Sequence, residues 1–482
     1  MYLTTTIPYV NARPHLGHAL ELVQADVLAR HHRRRGEPVR FQTGTDDNSL
    51  KNVLAAEAEG VPVRELVDRN AAAFEGLRGP LALSFDAFIR TSTHPGHRAG
   101  VERIWRAVGH DLYRRHYEGL YCVGCEQFYP EGPCPDGHRE PLQAVSEENW
   151  FFRLSRYQDA LGELVRSGRL RIEPAARRNE VLAFVEAGLA DISVSRSAAR
   201  ARGWGIPVPG DPGQVVYVWW DALANYVTAL ADGEPAGGGY ERWWVREPRR
   251  THLMGKGVIR FHAVYWPAML LSAGLPLPTE LFVHDYLTVD GRKISKSADG
   301  AVDPVALVAA YGTDAVRWWL LREVPRVGDA DFTEARLAAR HDEDLANGLG
   351  NLVSRVVTMV SRFLDGRVPE EPGEPLAEVS GAVHEALEDF DFRRAAGAVW
   401  TIVEEANRYA ERERPWRQPA AARERSLGTL VRACRDLAAE LEPFLPGAAA
   451  RVAAAVGGDR LGPPEPLYRR LSGATGRRSL TV

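Results

Sequence analysis

The sequence predicts an α/β fold in which a doubly wound parallel sheet is interrupted by an insert and followed by an all-helical region. Three observations support this prediction. The first 50 residues alternate strand, helix and strand patterns; residues 115–212 are rich in loop residues; and apolar residues beyond residue 340 recur at helical spacing. With 482 residues the chain is too long for one hydrophobic core, so several domains are expected.

The amino-terminal elements form a β-α-β unit. Residues 2–10 are rich in β-branched and aromatic side chains and predict a strand, while residues 19–32 carry apolar positions at helical spacing. The helix is expected to end at residues 33–36 (RRRG), where basic side chains face the negative end of the dipole and glycine stops the helix. Residues 39–43 predict the second strand. Parallel strands need such a crossover, which is typical of one half of a doubly wound sheet.

Further elements follow the insert. Residues 215–220 and 281–288 predict strands of the second half of the sheet, and residues 234–239, rich in proline and glycine, predict a surface loop. Two apolar helical faces lie beyond residue 340, and Cys434 is expected in the core of the second. The first face consists of Val383, Leu387, Phe390, Val399, Ile402, Val403 and Ala406, and the second of Leu427, Leu430, Val431, Cys434, Leu437 and Leu441.

Composition favours a cytoplasmic enzyme. The chain is 45% hydrophobic and 26% charged, begins without a secretory signal pattern, and lacks an apolar run long enough to span a bilayer. The net charge of −4 argues against a uniformly basic nucleic-acid coat, but a local basic face is sufficient for contacts to a nucleic-acid backbone. Three of the four cysteines cluster between residues 122 and 134, which indicates metal binding rather than a disulfide framework.

The use of lysine is unusual. Of 60 Lys and Arg residues only four are Lys, which leaves 56 Arg. Two of the four lysines lie three residues apart in 291–297 (GRKISKS). The side chain of lysine is a compact, mobile point charge, whereas that of arginine is a planar fork. The retention of two lysines in this segment therefore indicates a site that needs ammonium groups.

Residues 15–18 (HLGH) lie where the loop after the first strand meets the first helix. Ligands of open α/β sheets bind beyond the carboxyl ends of the strands, and helix N-termini favour anions. Two histidines can therefore donate to a phosphate, while the glycine lets a flat base approach the backbone. Alone the string is weak, because surface histidines near helix starts are common.

Together, HLGH at 15–18 and KISKS at 293–297 resemble the HIGH and KMSKS motifs of class I aminoacyl-tRNA synthetases. The wider segment 8–18 (PYVNARPHLGH) resembles the methionyl-tRNA synthetases, and the resemblance covers essentially the whole chain. It implies a Rossmann-type catalytic domain split by a connective insert with a zinc knuckle, followed by an all-α helical anticodon-binding domain. The implied boundaries are 1–114 and 213–290 for the two catalytic halves, 115–212 for the insert, 291–340 for the KISKS loop and stem-contact segment, and 341–482 for the anticodon-binding domain.

The resemblance implies activation of methionine by ATP, with Mg²⁺, and transfer to tRNA. The amino-acid carboxylate attacks the α-phosphate, a reaction that depends on positioning and cationic stabilisation rather than on a protein nucleophile. The implied catalytic residues are His15, His18, Lys293 and Lys296. The implied ATP-binding residues are these four with Gly17 and His284.

The resemblance also implies a methionine pocket. Asp46 matches the carboxylate that pairs with the substrate ammonium. The remaining positions are Ile7, Tyr9, Trp219, Ala222, Tyr226, Val258, His262 and Trp266. An aromatic cage with one polar handle suits a flexible, polarisable thioether, although ordinary core packing is the alternative for Trp219, Tyr226 and Trp266.

The cysteine cluster predicts a structural zinc site. Cys122, Cys125, Cys134 and His138 supply three sulfurs and one imidazole, which suits a closed tetrahedral knuckle. The alternative is a degenerate knuckle without metal, because Cys134 and His138 are three residues apart where the family pattern has two.

The helical region carries segments that resemble the anticodon-reading elements of methionyl enzymes. Asn351 and Arg355 are expected to bond base edges, and Pro415-Trp416 supplies a stacking plane, as recognition of single-stranded RNA requires. The implied partner is a tRNA with a CAU anticodon. A helix cap and a partly buried Trp are the alternatives.

Three departures from the family pattern fall within the expected active site. Residues 46–49 read DDNS where the family usually has Asp-Glu-His-Gly. Gly257 replaces an aspartate, and Asp285 replaces a glycine. Asp285 is a candidate for supplying the carboxylate that Gly257 lacks.

Three functions therefore stay open: a methionyl-tRNA synthetase, a paralogue that uses methionine or another apolar amino acid in a specialised pathway, and a catalytically silent tRNA-binding protein. The two motif histidines and the KISKS lysines argue against the third. The end of the chain near residue 482, without an appended oligomerising domain, favours a monomer.

Overall fold

The computed structural model describes residues 1–122, 127–129, 133–134, 142–231, 238–289, 291–293, 302–370 and 373–471. These residues fall into two compact units. Unit 1 comprises Met1–Arg13, Arg40–Glu75 and Phe85–Val283; unit 2 comprises Pro14–Val39, Gly76–Ser84 and the described part of His284–Val482.

The strands, in chain order, are β1 (Tyr2–Thr5), β2 (Arg40–Thr45), β3 (Ala87–Arg90), β4 (Leu112–Cys122), β5 (Gln127–Tyr129), β6 (Gln143–Phe152), β7 (Arg171–Glu173), β8 (Ile192–Ser193), β9 (Ser195–Ser197), β10 (Pro207–Val208), β11 (Asp211–Val216), β12 (Arg250–Gly255), β13 (Glu280–His284), β14 (Leu287–Val289), β15 (Arg292–Lys293) and β16 (Ala330–Asp331). The helices are α1 (Leu16–Arg34), α2 (Leu50–Glu59), α3 (Val63–Glu75), α4 (His97–Ala107), α5 (Gln158–Arg166), α6 (Ala175–Glu186), α7 (Val218–Thr228), α8 (Gly238–Tyr240), α9 (Trp266–Ala273), α10 (Pro304–Tyr311), α11 (Thr313–Arg322), α12 (Glu334–Arg340), α13 (Asn351–Leu364), α14 (Ser380–Glu388), α15 (Phe392–Glu413), α16 (Ala420–Leu441) and α17 (Pro446–Val456). Among the described residues, three further segments are π-helical: Glu241–Arg246, Phe261–Tyr265 and His341–Gly350.

Unit 1 is built on a six-stranded sheet with the order β3-β2-β1-β12-β13-β7. Strand β1 pairs in parallel with β2 and β12, β2 with β3, and β13 with β7. The predicted mixed α/β fold with a parallel sheet is therefore confirmed. The edge strand β7 comes from within the range predicted as the insert, and the predicted domain boundaries stay predictions.

The central strand β1 is buried throughout, so its polar groups must find partners inside the sheet. The Tyr2 hydroxyl donates to Gln42 Oε1 at 2.7 Å, and Thr5 Oγ1 donates to Thr43 Oγ1 at 2.7 Å. On the other side, Thr4 Oγ1 lies 2.6 Å from His252 Nδ1. These bonds fix β1 between β2 and β12.

Several predicted elements need correction. The first strand ends at Thr5 rather than at residue 10, and only an isolated bridge between Tyr9 and Asp46 continues the pairing. The strand predicted at 215–220 is wrong beyond Val216: β11 belongs to the antiparallel sheet β10-β11-β9, and α7 begins at Val218. A short apolar run suits a buried helix as well as a strand, which explains the error.

Other predictions agree more closely with the structure. The first helix and second strand are confirmed as α1 and β2, and Gly36, after the basic end of α1, adopts φ +80°. The strand predicted at 281–288 is divided into β13 and β14, whereas β12 was not predicted at all. The loop predicted at 234–239 lies largely outside the described residues.

A second, four-stranded sheet of unit 1 has the order β5-β4-β6-β8. Its long strands β4 and β6 pair antiparallel from Leu112↔Phe152 to Tyr121↔Gln143. This ribbon leads into the cysteine cluster, since Cys122 is the last residue of β4.

Unit 2 is mostly helical and contains the small sheet β15-β14-β16. All members of the two predicted apolar faces are buried, including Cys434. Burial raises the pKa of the Cys434 thiol to about 12, which keeps it protonated as a core residue.

Arg317 organises the interior of unit 2. Its guanidinium is fully buried and lies 2.8 Å from the Asp26 carboxylate of α1. It also donates to the carbonyls of Leu81, Pro443 and Phe444. A buried charge is tolerated only when paired in this way, so Arg317 fixes these segments to one another.

Within the part of the chain that the structure describes, no helix is both long and apolar enough to cross a membrane.

Candidate functional site

The motif histidines form the N-terminal cap of α1 in unit 2. Nδ1 of His15 accepts from the backbone N–H of Gly17, and Nδ1 of His18 accepts from that of His15, each at 3.1 Å. The two rings stack with centroids 3.8 Å apart. A backbone N–H can only donate, so in each neutral ring the proton lies on Nε2, which is a donor. The pair thus provides two N–H donors at a helix N-terminus, where anions are favoured.

Gly17 is required by this arrangement. A Cβ at Gly17 would lie 2.9 Å from Cε1 of His15, closer than real Cβ contacts allow. Any larger residue would therefore displace the His15 ring from its capping position.

His284 lies in unit 2 with a partner that sequence reasoning missed. Its Nδ1 is 2.8 Å from the Asp285 carbonyl, and its Nε2 is 3.0 Å from Glu21 Oε2. Both partners accept, so either both ring nitrogens carry protons or the Glu21 carboxyl does. Glu21 follows His18 by about one turn of α1. Glu21 and His284 are 263 positions apart in the chain, so the sequence carries no signal that pairs them.

The predicted amino-acid pocket consists of Ile7, Tyr9, Asp46, Trp219, Ala222, Tyr226, Val258, His262 and Trp266, all in unit 1. Helix α7 presents Trp219, Ala222 and Tyr226 at i, i+3 and i+7, on one face. A second segment, residues 258–266, contains Val258, His262 and Trp266 at intervals of four and includes the π-helical turn Phe261–Tyr265. A π-helical turn, often found at functional sites, keeps a spacing of four residues nearly in line.

The structure joins three pocket residues by hydrogen bonds. His262 Nδ1 donates to the Val258 carbonyl at 2.9 Å, so Nε2 is the acceptor for the Tyr226 hydroxyl at 2.7 Å. The ring centroids of Tyr226 and Trp266 are 6.0 Å apart, and Tyr226, His262 and Trp266 are all buried. Trp219 packs instead on Phe261 and Tyr265, with ring centroids 5.5 and 5.0 Å apart, respectively.

His252 lies beside Tyr226, a residue of the predicted pocket, and was not singled out from the sequence. Its ring stacks on Tyr226 with centroids 4.2 Å apart. Burial, followed by the charges of His262 and Arg250, holds the pKa of His252 well below its ordinary value. The ring is therefore neutral and supports Tyr226 without placing a cation beside the pocket.

Asp46 is buried at the end of β2, beside Tyr9. Its backbone N–H donates to the Pro8 carbonyl at 2.9 Å, and its Oδ1 accepts from the Asn48 N–H at 3.2 Å. Lys51 lies 5.0 Å from the centroid of the Tyr9 ring. The carboxylate is thus held in place by the loop that follows it.

Two of the departures from the family pattern have structural roles. The Asp47 carboxylate accepts from Thr45, Ser92 and Arg90 at 2.7 to 3.1 Å, and burial nevertheless raises its pKa. Asp285 Oδ2 accepts from the Gly328 N–H at 2.7 Å. The suggestion that Asp285 replaces the carboxylate missing at Gly257 stays a prediction.

The remaining predicted sites are described only in part. Lys293 closes the short strand β15, which pairs with β14, whereas Lys296 lies outside the described residues. Cys122 and Cys134 are buried, and Cys125 and His138 lie outside the described residues. Within the described ranges, no group of three or more His, Cys, Asp or Glu side chains is arranged to hold a metal ion.

The predicted anticodon patch, consisting of Asn351, Arg355, Pro415 and Trp416, belongs to unit 2. Asn351 and Arg355 lie one turn apart on α13, and Trp416 lies in the turn Pro415–Arg417. The Arg355 guanidinium lies 5.0 Å above the Trp416 ring and 2.7 Å from Glu411. The structure therefore brings Arg355 and Trp416 together, with Asn351 exposed on the same helix.

Both the sequence and the overall structure of this chain are similar to known proteins. The family described as "tRNA synthetases class I (M)" matches residues 1–145 and 139–357. The "Methionine--tRNA ligase" of Brucella suis is 40% identical over 476 residues, covering 94% of this chain and 90% of the relative. That of Mycobacterium bovis is 41% identical over 478 residues, with 94% and 91% covered. The structure is similar to that of "Mycobacterium tuberculosis methionyl-tRNA synthetase in complex with methionyl-adenylate", with TM-score 0.88, 37% identity and 97% and 99% of the two chains covered.

Proposed function

Because this chain belongs to the methionyl class I tRNA synthetases, we propose that it activates methionine with ATP and transfers the methionyl group to tRNA. The observation that carries the proposal is the bonded series Tyr226–His262–Val258 beside Trp266 in unit 1. It forms a neutral, polarisable aromatic wall of the kind that suits a thioether.

In the first step, a carboxylate oxygen of methionine attacks the α-phosphorus of ATP, and pyrophosphate leaves. In the second step, a ribose hydroxyl at the 3′ end of the tRNA attacks the carbonyl carbon, and AMP leaves. Neither step needs a covalent intermediate with the enzyme, so the side chains act by positioning and by charge.

We assign the residues accordingly. Asp46 pairs with the substrate ammonium, and its burial strengthens that pairing. The Nε2–H groups of His15 and His18 donate to phosphate oxygens, with Gly17 allowing the rings their positions. Lys293 and Lys296 supply ammonium groups to the leaving pyrophosphate, and Mg²⁺ accompanies the ATP. His284, held by Glu21, belongs to the nucleotide-binding residues.

The tRNA and metal assignments complete the proposal. The helical part of unit 2 binds the CAU anticodon through Asn351, Arg355 and Trp416, with Pro415 shaping the turn. Cys122, Cys125, Cys134 and His138 would hold a structural zinc ion, which would close its loop and take no part in the reaction. We further propose that the enzyme acts as a monomer in the cytoplasm.

The test is pyrophosphate exchange into ATP, measured with each of the twenty amino acids, then charging of a tRNA with the CAU anticodon. Exchange with methionine alone, lost in Lys296→Ala and followed by charging, supports the proposal. Exchange with a different apolar amino acid would instead indicate a specialised paralogue. Binding of the tRNA without exchange would indicate a silent binder.

A further inference from the structure

Asn48 joins the two halves of the amino-acid pocket. Its backbone N–H donates to Asp46 Oδ1 at 3.2 Å, and its side-chain Nδ2 donates to Asp221 Oδ2 at 2.8 Å. Asp46 is the proposed ammonium ligand, and Asp221 lies on α7, which carries Trp219, Ala222 and Tyr226. One residue thus contacts both the proposed ammonium ligand and the helix that carries three side chains of the proposed pocket.

The other oxygen of Asp221 is bound from a third segment. His97, at the start of α4, places Nε2 2.6 Å from Asp221 Oδ1 and Nδ1 2.7 Å from Thr228 Oγ1. A carboxylate only accepts, so Nε2 carries a proton; in the neutral ring Nδ1 then accepts from the Thr228 hydroxyl. Asp221, His97 and Thr228 are all buried. A buried carboxylate is stable only when it is bonded in this way, so these contacts are firmly specified.

The hydrogen bonds of Asn48 and His97 are made to the face of α7 opposite the proposed pocket residues. Asp221 and Thr228 are seven residues apart and lie on one face, whereas Trp219 and Tyr226 are each offset from them by two residues, about 200° around the helix. His97 therefore spans two turns of the rear face, and Asn48 adds a third point. The rotation of α7, and with it the direction of its pocket side chains, depends on these bonds.

We infer that Asn48 is a positioning residue for methionine: with Asp221 and His97 it fixes the distance between the Asp46 carboxylate and the pocket face of α7. This inference rests on the proposed function. It also gives a role to one of the departures, because Asn48 stands at the histidine position of the family pattern that the sequence resembles. An imidazole N–H and an amide N–H are both donors, so either can serve Asp221.

The test uses isosteric exchanges in the full chain. Asn48→Asp places a carboxylate against Asp221, and we expect the KM for methionine in pyrophosphate exchange to rise about tenfold or more, with the KM for ATP within about twofold. Asp221→Asn alone is milder, because the Asn48 amide can turn its oxygen toward the new donor. Asn179→Asp, the same exchange at an exposed position of α6, is the matched control and should change neither constant.

The double variant Asn48→Asp/Asp221→Asn reverses the donor and the acceptor. Asn at 221 donates to Asp at 48 and still accepts from His97, so the methionine KM should return to within about threefold of wild type, an interaction that a double-mutant cycle measures directly. Asn48→His should also retain a near-normal methionine KM.

Two patterns would overturn the inference. One is an unchanged methionine KM in Asn48→Asp with a lowered Tm, which would mean a purely structural role. The other is an equal rise of both KM values without recovery in the double variant. Failure of wild type to exchange with methionine would overturn the proposed function as well, whereas exchange by wild type without the variant pattern overturns the positioning role alone.

Discussion

The proposed amino-acid pocket of unit 1 and the proposed anticodon patch of unit 2 both place aromatic rings beside polar groups, but they are built differently. In the pocket, the bonds of Tyr226 and His262 are buried and each proton has an assigned position. In the patch, Arg355 meets a half-buried Trp416 and an exposed Glu411. The pocket is therefore preorganised, whereas the patch is held by contacts that solvent and salt weaken.

The largest difference between the two sites is expected in how much stability is lost when a tryptophan is replaced by alanine. Trp266→Ala empties a fully buried site in unit 1 and should lower the free energy of unfolding by about 3–5 kcal/mol. Trp416→Ala, at a partly exposed site, should change it by about 0.5 kcal/mol or less. Urea unfolding followed by circular dichroism measures both. Similar losses in the two variants would break the comparison.

Trp416→Ala should instead act on tRNA. Loss of a base stack costs about 1–3 kcal/mol, so kcat/KM for tRNA charging should fall while pyrophosphate exchange is unchanged. A parallel loss in both assays would contradict the assignment of Trp416 to the patch.

Tyr226→Phe tests the buried hydrogen bonds. It leaves His262 Nε2 without its donor, and an unsatisfied buried acceptor costs about 1–3 kcal/mol. The KM for methionine should rise accordingly. The control Tyr409→Phe, at a half-buried position of α15 in unit 2, should leave the methionine KM at its wild-type value.

A pH titration sharpens the comparison within unit 2. Burial, then the neighbouring His32 and His384, lowers the pKa of His31 from 6.5 to about 4. The folded state therefore keeps His31 neutral, while the unfolded state protonates it below pH 6.5. The contribution of His31 to the free energy of unfolding should be fully present above about pH 6.5 and decrease as the pH falls toward 4.

His31→Gln should flatten this decrease, measured as urea midpoints between pH 7.5 and 5. An unchanged pH dependence in the variant would show that other groups, such as the His32–Glu37 pair, account for it.

The smallest effect is expected at the Arg355–Glu411 ion pair. Glu411→Gln should change the free energy of unfolding by about 0.2–1 kcal/mol, because Glu411 is exposed and Arg355 is partly exposed. Release of Arg355 should lower the KM for tRNA slightly. The difference from wild type should shrink as the salt concentration is raised from about 50 to about 300 mM, because surface charges become screened over that range. A methionine KM that changed in this variant would contradict the assignment of Arg355 to tRNA binding alone.

The sequence was informative where a signal was local. Helical spacing identified the buried faces that contain Cys434 and Val399, and the β-α-β pattern identified α1 and β2. It failed at residues 215–220, because an apolar run of that length does not distinguish strand from helix. Strand β12 was not predicted from the sequence, because its apolar stretch is short and follows two arginines.

The site could be predicted only in its motif positions. The bonds that hold it join residues far apart in the chain, such as Asn48 with Asp221, His284 with Glu21, and Thr4 with His252. Such pairs have no periodicity or spacing in a single sequence, so only the fold reveals them. The assignment of Asp46 to the amino-acid pocket and that of the KISKS lysines to the leaving pyrophosphate rest on the family resemblance.

The most direct test of the central claim is detection of the adenylate itself. The full chain, incubated with ATP, Mg²⁺ and an equimolar mixture of the twenty amino acids, should accumulate methionyl-adenylate, identified by mass spectrometry. Asp46→Asn should reduce that product about 30-fold or more, because a buried charge loses its partner. An adenylate of a different amino acid, or no adenylate from wild type while a known synthetase treated in parallel yields one, would contradict the account.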